Sequence, residues 1–317
     1  MKSKKRINNL AEYVEHISTL GSKTVNLAAL NEKLLFRGHS SVSYELMPSI
    51  GRDRTDSSSI SIFDEERNIL ALAQMKMPDI FKTDMSPLET LALAQHYGLP
   101  TRLLDVSENA LVALFFACEH NDNDDGQVFV FKQRDEIPSA PIIQAIADSY
   151  RMVRGSSSSL ELFLKSAVNQ PYFLEHKNMV ETCFLTEKEK KKDTDNSEYS
   201  WMQDIDKWIE AVCSKPLFVY APVRTLRQQA QRGRYILFPN RIEDCIYEPE
   251  RKAFSTIIDP IEKDDPCIYD IITIPADSKR DIIRNLKLMG ICRESLFPDS
   301  IDEVCKGIKE TCMNRVK

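Results

Sequence analysis

The chain has 317 residues and only nine glycines, against about 22 expected at the ~7% usual for soluble proteins. That excludes a dinucleotide-binding turn, which needs three glycines within six residues, and a phosphate loop of the Gly-x4-Gly-Lys-Ser/Thr type; neither string occurs. The formal charge of −6, with 42% apolar and 28% charged residues, describes an ordinary globule and argues against general adhesion to nucleic acid, while leaving room for a local basic groove.

The longest apolar run, Ala110–Cys118, has nine residues, whereas a membrane span needs ~20. No membrane partner is expected. The basic stretch Met1–Arg6 is followed by no apolar segment, so it does not read as a secretory signal, and a cytoplasmic location is expected. The eight cysteines include no Cys-x2-Cys pair. They read as reduced thiols packed as small hydrophobes, and no metal site is expected.

In chain order, Leu10, Tyr13, Val14, Ile17 and Leu20 recur at helical spacing, and Gly21 follows as a stop. Lys33–Phe36 is a short strand that ends in Arg37-Gly38-His39-Ser40. The stretch 41–59 is polar loop, and Phe63–Met77 reads as a helix with acids near its start, where the dipole favours them. Ser86-Pro87-x-Glu89 has a serine cap, a first-turn proline and a third-position glutamate, so it opens a helix that stops at Gly98-Leu99-Pro100. Thr101–Val106 reads as a short strand or turn. Ser107 is expected to cap the apolar helix Ala110–Cys118, and Gln127–Phe131 is a strand, which makes Thr101–Lys132 a strand–helix–strand unit.

Residues 139–214 read as a mainly helical insertion with a charged run from Glu187 to Asp193. Strand signals return at Leu217–Tyr220, Gly233–Phe238 and Ile268–Ile274, and helices are expected at Ser278–Leu288 and Ser300–Asn314. The strands do not alternate regularly with helices. The expected class is therefore α+β with a mixed or antiparallel sheet, divided as 1–138, 139–214 and 215–317.

Three polar segments each hold a glycine. In Phe36–Ser40, Arg37 at a strand end can fork onto a phosphate or carboxylate, or make a structural ion pair at a turn. In Gln95–Asp105, either Arg102 pairs with Asp105 to fix the turn, or His96, Thr101 and Asp105 face a pocket. In Arg224–Arg234, four arginines and three glutamines precede a strand, as an exposed basic helix end or as a patch for the phosphates of a ligand or of RNA.

Phe36-Arg37-Gly38, then His96-Tyr97-Gly98-Leu99-Pro100-Thr101-Arg102-Leu103-Leu104-Asp105, then Ala113-Leu114-Phe115-Phe116-Ala117 resemble the FRG-domain family. The C-terminal part, with Gln231-x-Gly233 and Leu296-Phe297-Pro298, is similar more weakly. The family is prokaryotic, and the resemblance implies a component of phage defence or a toxin system, with an antitoxin or defence-system partner. The first motif also resembles the opening strand of arginine-type ADP-ribosyltransferases, which implies that fold and NAD as substrate, with RNA or protein as acceptor. On that resemblance Arg37 holds NAD and Gly38, His39, His96, Tyr97, Gly98 and Arg102 surround it. Thr101 or Ser107 supplies the middle hydroxyl, and Gly98 allows close backbone approach. The late strand departs from the pattern: Gln231 stands where a Glu-x-Glu is expected, so on the resemblance Gln231 orients a ribose hydroxyl without serving as a base, and either Asp105 or Glu45 substitutes for the carboxylate or the transferase activity is altered or absent.

Two other readings stand beside this one. Asp244, Glu250 and Lys252 form a loose Asp-x5-Glu-x-Lys string of the kind found in metal-dependent nucleases. The Arg37, His96, Thr101 and Asp105 group would also serve a module that senses a nucleotide without turning it over.

Overall fold

The structure, a computed structural model, describes residues 4–23, 32–52, 62–120, 123–134, 140–150, 158–159, 163, 166–167, 169–171, 213–222, 224–244, 252–255, 257–300 and 305. Those residues form ten strands: β1 (Lys4–Arg6), β2 (Glu32–His39), β3 (Leu103–Ser107), β4 (Gly126–Arg134), β5 (Ser158–Ser159), β6 (Leu217–Val219), β7 (Gly233–Leu237), β8 (Ile242–Asp244), β9 (Lys252–Phe254) and β10 (Ile268–Ile274). The helices are α1 (Leu10–Lys23), α2 (Glu66–Lys76), α3 (Pro87–His96), α4 (Ala110–Cys118), α5 (Ala140–Tyr150), α6 (Leu226–Ala230), α7 (Lys279–Leu288) and α8 (Arg293–Leu296).

Seven strands make one sheet in the order β1-β10-β4-β2-β3-β7-β6, antiparallel throughout except for the parallel β1–β10 pair. The expected α+β class with a mixed, mainly antiparallel sheet is what the chain builds. Strands β5, β9 and β8 form a separate small sheet. The expected strand–helix–strand unit is present as β3-α4-β4, but β2 lies between its two strands. The element with the Arg37 motif is thus inserted into the middle of the unit that follows it in sequence.

Both faces of the sheet are covered. Along β4, Val128 and Val130 meet α1, α4 and α7, while Phe129 and Phe131 point the other way, as a period-two strand requires. All four are fully buried. Strand β2 alternates in the same manner: Phe36 packs on the α4 side and Leu35 on the opposite side. Helix α4 is apolar on most of its circumference and lies directly on the sheet. A Cβ at Gly38 would sit 1.9 Å from the Ala113 carbonyl oxygen and 2.6 Å from the Ala117 nitrogen. One at Gly126 would sit 2.1 Å from the Ala117 carbonyl oxygen. Only glycine lets the helix backbone approach β2 and β4 so closely.

Asn109, not Ser107, is the N-cap of α4; its side chain accepts from the Leu111 amide at 2.9 Å. The expected Phe63–Met77 helix begins as a tight 3-10 turn over Ile62–Glu65 before α2. Helix α5 buries Ile143, Ile146, Ala147 and Tyr150 in the cluster that also contains Leu88, Leu91 and Leu93 of α3. The rest of the expected helical insertion and the Ser300–Asn314 helix lie almost wholly outside the described residues.

Candidate functional site

The sheet has one seam. Strand β3 pairs with β7 over its full length, Leu103–Ser107 against Leu237–Gly233. Between β2 and β3, only Phe36 and Ser107 are paired. Past that pair the two strands part. Arg37 spans the gap: its Nη1 donates to the main-chain oxygen of Asp105 at 2.5 Å. A side chain therefore occupies an acceptor that a continuous ladder would have used.

The opening at this seam is a cleft of about 670 Å³, a size that suits a nucleotide-scale ligand. Residues from all three glycine-bearing motifs line it: Arg37, Gly38 and His39; Gln95, His96 and Asp105; Arg227, Gln231 and Gly233. Glu45, Arg52, Ser107, Phe116 and Glu119 complete much of the wall.

Arg37 is held twice. Its Nε donates to Nε2 of His39 at 2.9 Å, and Nη1 is fixed on Asp105 as described. Because residues two apart on a strand share a face, β2 places the guanidinium and the imidazole side by side. Nε2 of His39 is then an acceptor, which fixes the neutral ring with its proton on Nδ1. His39 is only 5% exposed and lies edge-on to Phe129. Burial, with the charges of Arg37 and Arg52 acting in the same direction, pushes its pKa down to about 2. Burial likewise lowers that of Arg37 to about 10, opposed by the Asp105 carboxylate and assisted by the charge of Arg52. Arg37 remains a cation at neutral pH.

The second motif divides between cleft and core. Asp105 exposes its carboxylate, and Oδ2 accepts from Gln95 Nε2 at 2.5 Å. Gln95 also accepts from the Thr101 hydroxyl at 2.7 Å, and that hydroxyl accepts from the Leu103 amide. Thr101 is fully buried and does not line the cleft; it reaches the site through Gln95, and its main chain bonds Ser49 and Ile50 of the loop that leads to Arg52. Of the two candidate hydroxyls, Ser107 is the one in the wall. It donates to the Gln231 main-chain oxygen at 2.6 Å.

Arg102 does not pair with Asp105 and does not reach the cleft. It is 1% exposed, forked onto Glu66 at 2.9 and 3.1 Å through Nε, with Nη1 on the Phe238 carbonyl at 3.0 Å and the Tyr150 ring 3.9 Å from its centre. A buried cation demands such a partner, and Glu66 on α2, 36 residues earlier, supplies it.

Gly98 also lies outside the cleft wall. Its φ is +80°, the left-handed region that favours glycine. The Leu99 amide bonds the Ala94 carbonyl and the Gly98 amide bonds that of Gln95, both at 3.0 Å. This is the Schellman stop of α3, so the glycine serves the helix end and not a ligand's approach. Tyr97 is half exposed and packs edge-on to His96, with ring centres 4.9 Å apart. His96 faces the cleft with Nε2 3.5 Å from the Asp299 carboxylate. Burial lowers its pKa, Asp299 opposes this and Arg227 adds to it.

Two of the four arginines of the third motif are neutralised. Arg224 is ion-paired with Glu89, and Arg234 with Glu108 at 2.6 Å while stacking over Tyr220. Arg227 alone of the four lines the cleft, and it stacks on Phe297 with its guanidinium 4.5 Å from the ring centre. Gln231 is the C-cap of α6, and its Nε2 donates to the Leu296 carbonyl at 3.0 Å. Arg293 of the same short C-terminal helix pairs with Glu119. The run therefore splits between paired surface arginines and one, Arg227, that faces the cleft.

The sequence model of the FRG domain matches residues 32–126. The chain carries an FRG domain. Searches of the curated proteins and of the solved structures find no match. The matched stretch runs from the first residue of β2 to the first of β4. The FRG domain thus contributes Arg37, His39, His96, Asp105 and Glu119 to the cleft, while Arg227, Gln231 and Tyr235 come from beyond it. Arg52, which motif reading passed over, lies inside the FRG domain in a polar loop that carried no pattern of its own.

Among the described residues, no cluster of His, Cys, Asp or Glu is arranged to hold a metal ion. Asp244 and Lys252 are register partners of β8 and β9 in the small sheet, and Asp244 does not line the cleft. Glu250 lies outside the described residues. No described helix is long and apolar enough to cross a membrane.

Proposed function

We propose that the cleft binds NAD and that the protein is an ADP-ribosyltransferase-like enzyme acting on RNA or protein, as a toxin or phage-defence effector. The observation that carries this reading is the convergence of three motifs, spread over some two hundred residues of sequence, on one cleft whose seam is spanned by Arg37. Arg37 is charged, partly exposed and fixed by two neutral acceptors, so it presents a preorganised cation to a phosphate without the cost of ordering it on binding.

The reaction breaks the bond between the nicotinamide nitrogen and the ribose carbon. Nicotinamide leaves with the bonding pair, the acceptor's nucleophilic atom bonds to that carbon, and its proton passes to a base. A carboxylate suits both the cationic sugar and the proton. Gln231 has none. Asp105 is the carboxylate on the residue that Arg37 itself grips, and Glu45 and Glu119 share the wall. We assign the role to Asp105, with Gln95 as the group that orients it.

The test is an incubation of the folded protein with labelled NAD, total RNA and cell protein. Transfer of label and release of nicotinamide are expected, both lost in Arg37→Ala and in Asp105→Asn. Absence of both in the folded wild-type protein overturns the reading. The coupling of Asp105 to Gln95 also suits a site that holds a nucleotide without turning it over. Thermal stabilisation by NAD with no product would identify that case, and at a hundred times the Kd it amounts to ~2.7 kcal/mol.

A further inference from the structure

Two guanidinium groups of the cleft share a condition: among the described residues, neither is hydrogen-bonded to or ion-paired with a carboxylate. Among the described residues, Arg37 bonds His39 Nε2 and the Asp105 main-chain oxygen alone. Arg52 bonds the Met47 carbonyl alone among them, through Nε and Nη2 at 3.2 Å each. Both line the cleft, and among the described residues neither forms an ion pair. The third arginine of the cleft, Arg227, lies on the face of Phe297.

The carboxylates of the wall are occupied or set apart. Asp105 accepts from Gln95 and attracts Arg37 without bonding it, and Glu119 is paired with Arg293. Glu45 belongs to the same loop as Arg52 and is itself engaged in an interaction. The neutral state of His39 adds no counter-charge. Two like charges whose hydrogen bonds go to neutral acceptors repel, and an anion bound between them relieves that repulsion.

Resting on the NAD-cleft reading above, we propose that Arg37 and Arg52 together form a phosphoryl subsite, in which Arg52 supplies the second cation and makes the cleft select a ligand group carrying two negative charges. A diphosphate, or a terminal phosphate, fits that requirement; a nucleoside or a singly charged carboxylate does not. Arg52 is thereby a specificity-determining residue contributed by the 40–52 loop, outside the three motifs. Its own anchor on Met47 leaves Nη1 for the ligand, while Arg37 has Nη2 to offer, so one anion can be gripped from two sides.

The experiment is calorimetric titration of the full chain with inorganic pyrophosphate, acetate and adenosine. Wild-type protein should bind pyrophosphate and neither of the others. Arg52→Gln should weaken pyrophosphate binding at least about tenfold with an unchanged thermal midpoint. Arg284→Gln, which removes an exposed cation on α7, controls for net charge and should bind as wild type. Absence of pyrophosphate binding, or equal affinity in Arg52→Gln and wild type, overturns the subsite. If pyrophosphate binds through Arg52 but NAD is not consumed, the subsite stands and the transferase reading fails. If NAD is consumed and Arg52→Gln leaves its KM unchanged, the subsite fails and the transferase reading stands.

Discussion

Arg37 and His39, two residues apart on one strand, are joined by a 2.9 Å hydrogen bond in which the arginine donates and the histidine accepts. The pairing gives His39 a role other than the ligand contact implied by the family resemblance. It is a buried neutral strut for the arginine that spans the seam.

That role has a pH signature. The folded-state pKa of His39 is depressed to about 2, far below the ~6.5 of an unfolded histidine. The unfolded chain therefore binds a proton that the folded chain refuses, and stability falls as pH drops below about 6.5. The slope contributed is about 1.4 kcal/mol per pH unit, continuing downward toward the folded pKa. Urea unfolding at pH 7.5, 6 and 5 should show it. His39→Gln, which keeps an acceptor for Arg37, should flatten that part of the dependence. His96, also depressed, adds in the same direction.

Removing Arg37 should cost stability as well as activity. Arg37→Ala deprives the Asp105 carbonyl and the His39 ring of their donor, a loss of about 2 kcal/mol by the usual worth of charge-assisted bonds. Urea midpoints measure it. Arg37→Lys restores the charge but not the planar fork that reaches both acceptors, and should recover less than half of the loss.

Gly38 and Gly98 should separate cleanly. In Gly38→Ala, the new methyl meets the helix backbone at Ala113 and Ala117, which cannot move aside as a flexible side chain would. A destabilisation of about 3 kcal/mol is expected, with α4 displaced from the sheet and NAD turnover lost. Gly98→Ala meets no atom within 4 Å and suffers only its positive φ, about 1–2 kcal/mol. Its turnover should be that of the wild type when measured below the unfolding transition.

The Arg102–Glu66 pair predicts a larger effect far from the cleft. Glu66→Ala strands a guanidinium that is 1% exposed, at a cost of about 3–5 kcal/mol. Thermal denaturation should show the drop, and pyrophosphate affinity of the remaining folded protein should be unaltered.

Local chemistry made the local elements legible. The serine cap and first-turn proline start α3 where Ser86-Pro87-x-Glu89 indicates, the bounds of α4 match its apolar run, and Gly98 ends α3. Each of the three polar motifs that line the cleft stood out as charged and amide side chains gathered around a glycine, although Thr101, Arg102 and His39 turn out to be buried. What sequence reading missed depends on partners remote in the chain. Nothing near Arg102 points to Glu66, and nothing near β1 indicates that Lys4–Arg6 pairs in parallel with β10. The placement of β2 inside the β3-α4-β4 unit is likewise a property of the whole sheet. Arg224 and Arg234 read as a basic patch only until Glu89 and Glu108 are brought to them.

The seam between β2 and β3 binds the fate of the fold to that of the site. Elsewhere in the sheet, backbone bonds that any sequence can make join neighbouring strands; past Phe36 and Ser107 a particular arginine does that work. A lineage cannot drift at position 37 and keep the sheet unaltered, nor exchange one ligand chemistry for another there without first finding a new fastener. Residues of the wall that bridge no strands, Arg52 among them, have no such obligation. Changes in what the cleft accepts are expected to accumulate around Arg37 before they reach it.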